Sequence, residues 1–254
     1  MENPGRNSFK NVWNQVLMNH SLNIFLLMGQ SNMAGRGNVD DTEPLEHNHI
    51  FFFQNNKWIP AREPLHDDKT TAGVGLAMSF AIDIIEAFPD ISIGLIPCAI
   101  GGTSIDRWVK GSDLYSKSVI LAREGEKSGA IQGVLWHQGE SDSKNKENAL
   151  SYYDRLTGMV NSIRTDLESK TIPVILGQLG EYLATNPEYP YWSIINDSLM
   201  RASQILPLCS TVSSENLRDK GDGLHFDSTS LREFGKRYAR EYIRLMRVNG
   251  RRLS

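Results

Sequence analysis

The chain has 254 residues, of which 40% are hydrophobic and 22% are charged. This length suffices for an α/β domain with a full core, and the ordinary charged fraction excludes a disordered chain or a coiled coil. Because 27 Lys and Arg residues face 30 Asp and Glu residues, the net charge of −3 argues against sequence-independent binding to nucleic acid.

Strands and helices alternate along the chain. Continuous apolar runs predict buried parallel strands, and apolar residues spaced by three and four predict helices. The segment 35–74 is rich in Asp, Asn, Gly and Pro, which predicts a long irregular loop. In chain order we expect a strand at 23–28, a helix at 76–87, a strand at 91–99, a helix at 113–127, a strand at 131–136, a helix at 149–163, a strand at 172–179, a helix at 192–205, a strand at 208–213 and a helix at 229–247.

This alternation predicts one three-layer α/β/α domain over residues 1–254, with a central five-stranded parallel sheet. Ligands of such folds bind beyond the carboxyl ends of the strands. Polar loops follow three of the predicted strands, at residues 29–32, 101–104 and 137–140. A fourth polar loop, residues 222–225, precedes the last helix. Chemistry is therefore expected where these four loops converge.

Ser31 is the candidate nucleophile, because it follows an apolar strand and a glycine at a sharp turn. A serine hydroxyl needs an adjacent base, and His225 is the best candidate among the six histidines. Asp222, three residues earlier, is placed to accept from the imidazole and fix its tautomer. Helix capping is the alternative for both motifs, and Asp219 and Asp227 are rival partners of the histidine.

An acyl transfer also needs hydrogen-bond donors for the oxyanion. The candidates are the N–H groups of Ser31 and Gly102 and the side-chain amide of Gln138. A tight turn and a strand-end amide are the alternatives for the last two. Glu140 is expected to orient Gln138, to bind a substrate hydroxyl, or to be a solvated carboxylate.

Other polar clusters carry weaker signals. Residues 47–49 and 66–68 contain His and Asp, but no third partner has metal-like spacing, so we expect solvated loop side chains and no metal. Residues 35–37 (GRG) lack the Lys-Ser or Lys-Thr of a phosphate-binding loop. The aromatic residues at 189–192 would stack on a sugar or pack in the core or a lid.

No membrane segment is predicted, because the longest apolar runs are far shorter than the roughly 20 residues that cross a bilayer. Residues 1–23 lack the apolar segment of a signal peptide, which favours a cytoplasmic location. Cys98 and Cys209 lie in apolar runs and are expected to be buried thiols.

Four motifs together resemble the SGNH hydrolases, and more narrowly the sialate O-acetylesterase-like branch, carbohydrate esterase family six, especially its compact plant members. They are MGQSNMAGRG (28–37), GGTSIDRW (101–108), WHQGESD (136–142) and DGLH (222–225). The resemblance implies a flavodoxin-like sheet of order 2-1-3-4-5. It also implies Ser31 as nucleophile, His225 as base and Asp222 as its orienter, with Gly102, Gln138 and the Ser31 backbone forming the oxyanion hole.

Two departures from the wider pattern narrow the assignment. The usual GDS triplet is here Gly29-Gln30-Ser31, and Gln138 replaces an asparagine. Both are typical of family six, and they argue against borrowing the lipase activity of other SGNH members.

The expected function is hydrolysis of small acyl esters, above all acetyl esters, on a small-molecule carbohydrate or oligosaccharide, without a cofactor. A non-catalytic carbohydrate-binding protein and a sugar acyltransferase remain alternatives, and the oligomeric state is open.

Overall fold

The computed structural model describes residues 21–251 and Leu253. The strands of this part are β1 (Leu22–Gly29), β2 (Ile50–Gln54), β3 (Lys57–Pro60), β4 (Ser92–Pro97), β5 (Gly129–His137), β6 (Val174–Gly177) and β7 (Cys209–Val212). Its α-helices are α1 (Ser31–Ala34), α2 (Ala77–Ala87), α3 (Asp113–Gly125), α4 (Lys146–Asp166), α5 (Trp192–Ile205) and α6 (Ser228–Val248). The expectation that the chain lacks a leader concerns residues that lie almost entirely outside this range.

The sheet has seven strands in the order β3-β2-β4-β1-β5-β6-β7. All neighbouring strands run parallel except β2 and β3, which pair antiparallel. The strands β4-β1-β5-β6-β7 correspond to the predicted order 2-1-3-4-5. The α/β fold class is therefore confirmed, with a parallel centre and helices around it.

The prediction of five strands was wrong, because the segment 35–74 is not irregular throughout. Strands β2 and β3 form a hairpin joined by Asn55 and Asn56, whose φ angles are +50° and +58°. Asparagine tolerates this left-handed conformation, which two-residue hairpin turns require. Strand β2 then pairs in parallel with β4 and extends the sheet by two strands.

Two apolar cores cover the two faces of the sheet. Alternate residues of β1 point to opposite faces, so that Ile24, Leu26 and Met28 lie in one core and Phe25 and Leu27 in the other. Helices α3, α4 and α5 pack on the first face, while α2 and α6 pack together on the second. This arrangement gives three layers and leaves the carboxyl edge of the sheet to the loops.

Among the described residues, no helix is long and apolar enough to span a membrane. Both cysteines are buried free thiols, as predicted. Burial raises the pKa of each thiol to about 12, so neither is a ready nucleophile.

Phe25 is a centre of the second core. It is fully buried, and its ring lies edge-on against Phe80 of α2 at 4.9 Å and against Tyr242 of α6 at 5.1 Å between ring centroids. One side chain of the central strand thus contacts both helices of its layer.

We predict that Phe25→Ala lowers the free energy of unfolding by about 3–5 kcal/mol, because it leaves a cavity beneath two helices. Urea unfolding followed by circular dichroism measures the loss. The control is Leu150→Ala on α4, where the side chain is 61% exposed and the change should stay within about 0.5 kcal/mol. Equal effects of the two substitutions would contradict this packing.

Candidate active site

Strand β1 ends at Gly29, beside His137 of β5, in a turn that only glycine fits. Gly29 has a φ of +133°, and a Cβ there would lie 2.0 Å from the carbonyl oxygen of His137. The next N–H, that of Gln30, donates to the same carbonyl oxygen at 2.9 Å. The chain then enters the single turn of α1 at Ser31, so this residue stands at the carboxyl edge of the sheet.

Ser31 meets a histidine and an aspartate from the far end of the chain. The Ser31 Oγ lies 3.0 Å from Nε2 of His225, and Nδ1 of that ring lies 2.7 Å from Oδ2 of Asp222. The other oxygen of Asp222 accepts from the backbone N–H of His225 at 2.8 Å and of Leu224 at 3.0 Å. The three-residue spacing thus forms a turn that points both side chains toward Ser31.

The carboxyl group of Asp222 is held in its charged form. Partial burial would raise its pKa, but hydrogen bonds from the backbone and ring of His225 and from the backbone of Leu224 outweigh burial and lower it. An ionised Asp222 accepts from Nδ1–H, which leaves the lone pair of Nε2 facing the serine hydroxyl.

The two rival aspartates have structural roles instead. Oδ2 of Asp219 accepts from the N–H groups of Gly221 and Gly223, which braces the loop that carries Asp222. Asp227 caps α6, because its side chain accepts from the N–H of Ser230 at 2.6 Å. Of the three, only Asp222 contacts the imidazole.

The loop after β4 runs beside Ser31. A Cβ built on Gly101 would lie 3.4 Å from the Cβ of Ser31, and Gly102 has a φ of +76° that favours glycine. Within the described part of the chain, the N–H groups of Ser31 and Gly102 donate to no protein acceptor. Two donors of the expected oxyanion hole therefore stand at this edge without a partner.

Gln138 does not join these donors. It is fully buried, and its Nε2 lies 2.6 Å from Oδ2 of Asp142, 2.9 Å from the Thr103 carbonyl and 3.2 Å from Oε1 of Gln30. Two amide hydrogens already face three buried acceptors, so none is left to donate into the cleft. The same Oε1 of Gln30 also accepts from the N–H of Ser141 at 3.3 Å. Gln138 therefore links the loops that carry Gln30, Thr103 and Ser141.

Glu140 lies beneath the cleft and is 1% exposed. Its Oε1 accepts from Nδ2 of Asn32 at 2.6 Å, and Nε2 of His137 is 3.4 Å away. We expected Glu140 to orient Gln138, but the carboxylate that bonds Gln138 is that of Asp142. Sequence reasoning missed both Asn32 and Asp142, although each lies within a motif, at 28–37 and 136–142.

A buried ion pair connects two segments. One is the turn at residues 29–36, which contains the candidate nucleophile Ser31 and is called the nucleophile turn; the other is the Gly101 loop, residues 98–104, which follows β4. Oδ2 of Asp68 accepts from Nη2 of Arg36 at 2.6 Å and from the N–H of Gly101 at 2.7 Å. Both charged side chains are at most 3% exposed. Burial alone would raise the pKa of Asp68, but the hydrogen bonds from Arg36 and Gly101 outweigh it and lower it.

The expectation of solvated side chains at residues 66–68 was therefore wrong for two of the three. Asp68 is held by Arg36, and His66 is 5% exposed. Burial lowers the pKa of His66 to about 4, so the imidazole is neutral at ordinary pH. In the described ranges, no three His, Cys, Asp or Glu side chains converge as a metal site.

The serine and histidine open into a cleft of about 540 Å³. Its lining includes Lys69, Lys144, Lys220 and Tyr189. Of the aromatic residues at 189–192, only Tyr189 lines this cleft, with Nζ of Lys144 4.8 Å from its ring centroid. The cleft is wide enough for a polar substrate, and Ser31, Gly102 and His225 are among the residues that line it.

We predict that Asp68→Asn destabilises the fold by about 3–5 kcal/mol at neutral pH, because the buried Arg36 loses its counter-charge. The pKa of Asp68 is depressed in the folded chain. Its contribution is therefore present above the unfolded carboxyl pKa, about 3.9, and is lost as the pH falls through the folded value.

Urea titrations at several pH values test this, with Asp113→Asn in the exposed pair with Arg107 as the control, for which a much smaller change in unfolding free energy is expected because water screens an exposed pair. The unfolding free energies of wild type and Asp68→Asn should converge as the pH falls from the unfolded carboxyl pKa through the lower pKa of the folded chain. A gap that stays constant down to the most acidic pH would contradict the ion pair's role.

The chain is similar in sequence to known carbohydrate esterases. The sequence profile of a carbohydrate esterase family, described as sialic acid-specific acetylesterase, matches residues 21–244. A probable carbohydrate esterase of Arabidopsis thaliana is 33% identical over 246 residues, which cover 87% of this chain and 90% of the relative.

Solved structures share the fold. The crystal structure of the Arabidopsis thaliana protein has a TM-score of 0.80 at 30% identity, covering 88% of this chain and 98% of that one. A carbohydrate acetylesterase from Xanthomonas citri gives 0.62 at 21% identity, covering 85% and 55%. A lipase/acylhydrolase from Enterococcus faecalis gives 0.52 at 14% identity, covering 88% and 96%. At the two lower identities the likeness concerns the fold alone.

Proposed function

Because the chain belongs to the sialic acid-specific acetylesterase family of carbohydrate esterases, we propose that it hydrolyses O-acetyl esters of carbohydrates with a Ser31–His225–Asp222 triad. Membership in this family makes the chain a carboxylic ester hydrolase. The observation that carries the triad is the continuous hydrogen-bonded series, 3.0 Å from Ser31 to His225 and 2.7 Å from His225 to Asp222.

Acylation begins when Oγ of Ser31 attacks the carbonyl carbon of the ester. Its proton passes to Nε2 of His225, and the carboxylate of Asp222 stabilises the imidazolium that forms. The carbonyl π bond opens and its electron pair becomes the oxyanion of a tetrahedral intermediate. When this collapses, the bond to the sugar oxygen breaks, His225 protonates that oxygen, and the acetyl group stays on Ser31.

Deacylation repeats these steps with water. Neutral His225 takes a proton from the attacking water, and a second tetrahedral intermediate forms on the acetyl carbon. Its collapse breaks the bond to Oγ, returns the proton to Ser31 and releases acetic acid, which ionises at neutral pH. The base and its orienting carboxylate are therefore used twice in one turnover.

The N–H groups of Ser31 and Gly102 are proposed to stabilise the oxyanion in both halves of the reaction. An oxyanion donor typically contributes about 2.7–4 kcal/mol to the transition state. Their position is supported by the Gly101 loop, which the ion pair of Arg36 and Asp68 holds beside the nucleophile. Gln138 stays outside this proposal, because its amide hydrogens face buried acceptors.

The substrate is proposed to be a small-molecule or oligosaccharide acetyl ester. The cleft holds about 540 Å³ and is lined by both Ser31 and His225, so an ester that enters it can reach the candidate nucleophile and base. The lysines and Tyr189 in its lining offer donors and an aromatic ring to the polar hydroxyls of a sugar.

We predict that Ser31→Ala lowers kcat for 4-nitrophenyl acetate and for an acetylated sugar by about 10⁶-fold, because the nucleophile is gone. A fluorophosphonate should label wild type at this serine, as shown by peptide mass spectrometry, and should not label the variant. Ser116→Ala on the exposed face of α3 is the matched control and should behave as wild type. Turnover by a folded Ser31→Ala protein would refute the assignment.

A further inference from the structure

We infer that Asn32 is the positioning residue of this site. Its side chain holds the histidine loop, residues 219–227, against the nucleophile turn and so sets the distance between His225 and Ser31. This inference rests on the proposed triad. Asn32 directly follows the nucleophile in the chain and is 1% exposed, so it lies under the site rather than in it.

The carboxamide of Asn32 holds the backbone on both sides of the base. Its Oδ1 accepts from the N–H of Phe226 at 3.1 Å, and its Nδ2 donates to the carbonyl of Leu224 at 3.2 Å. These two residues flank His225 in the chain. One side chain thus fixes the peptide groups before and after the imidazole relative to the residue beside the nucleophile.

The orientation of this carboxamide is set from two sides. The carboxylate of Glu140 can only accept at this contact, so the 2.6 Å bond places the NH₂ group of Asn32 toward it. The N–H of Phe226 can only donate, so it places the oxygen on the other side. Burial would raise the pKa of Glu140, but the neighbouring His137 ring and the hydrogen bond from Asn32 outweigh burial and lower it. The carboxylate therefore stays available as an acceptor.

Other contacts hold the histidine loop, but fewer reach the nucleophile turn. The carbonyl of His225 accepts from the N–H of Lys220 at 2.9 Å, which ties the loop to itself. Tyr182 Oη donates to the Leu224 carbonyl at 3.0 Å from another loop. Nζ of Lys220 donates to the Arg36 carbonyl at 3.1 Å from an exposed position. The buried tie between base loop and nucleophile turn is made by Asn32.

The first test is Asn32→Ala, which removes both bonds to the histidine loop. A misplacement of about 1 Å in a catalytic constellation costs about 100-fold in rate, so we expect kcat to fall by about that factor. KM should change little, because Asn32 does not line the cleft. The rate of fluorophosphonate labelling at Ser31 should fall with kcat, since labelling also needs the positioned base.

The second test changes charge while keeping the shape. Asn32→Asp still accepts from Phe226 but cannot donate to the Leu224 carbonyl, and it places a carboxylate against that of Glu140, so activity should fall as in the alanine variant. In the double variant Asn32→Asp with Glu140→Gln, the new amide can donate to the new carboxylate. We expect it to recover at least about tenfold in kcat over Asn32→Asp alone, because it re-forms a neutral-to-charged hydrogen bond.

The matched control is Asn196→Ala. Asn196 is a buried asparagine that bonds both backbone groups of Leu179, at 2.8 and 3.1 Å, and within the described part of the chain its side chain makes no hydrogen bond to Ser31, Asp222 or His225. This variant should lose stability but keep its kcat. Amide hydrogen exchange at Phe226, followed by NMR, adds a readout without substrate: exchange should be faster in Asn32→Ala and unchanged in Asn196→Ala.

The outcomes separate the two proposals. If wild type hydrolyses acetyl esters while folded Asn32 variants keep their kcat, the inference is overturned and the esterase function stands. Equal loss of kcat in Asn196→Ala would make the effect one of general stability and would also overturn it. If wild type neither turns over nor is labelled at Ser31, the proposed function fails, and Phe226 exchange still decides whether Asn32 holds the loop.

Discussion

The hydrogen bond between Oγ of Ser31 and Nε2 of His225 joins residues that are 194 positions apart in the chain, at 3.0 Å. Its geometry depends on the parallel sheet, because β1 delivers the serine and the loop before α6 delivers the histidine to the same edge. The close contact of Gly29 with His137 turns the chain there, and the Phe25 contacts hold α2 and α6 on the layer beneath. The site is thus a consequence of sheet topology and of one packed layer.

Around this bond, loops that do not pair through the sheet are joined by buried polar groups. Arg36 and Asp68 tie the nucleophile turn to the Gly101 loop, Asn32 ties it to the histidine loop, and Gln138 is held by Asp142. Buried charges carry a desolvation cost that a hydrophobic contact does not. Their hydrogen bonds, however, are directional. Hydrogen bonds of fixed geometry therefore position a side chain more closely than apolar packing does.

Local patterns in the sequence were enough for the central fold. Apolar runs located the five central strands, and the helix expected at 192–205 begins and ends at those residues. The hairpin of β2 and β3 was missed because its short apolar run lies within polar loop sequence. The partners of Arg36 and Gln138 could not be read from the sequence, because each bond joins segments whose proximity exists only after folding.

The central claim is that an acetyl group resides on Ser31 during turnover. The most direct measurement is rapid acid quenching of the enzyme during hydrolysis of an acetyl ester, followed by peptide mass spectrometry. The account predicts one acetyl group on the peptide that contains Ser31, appearing at the rate of the first half-reaction and absent without substrate. Full turnover with no acetyl group on that peptide, or with the acetyl group on another residue, would contradict it.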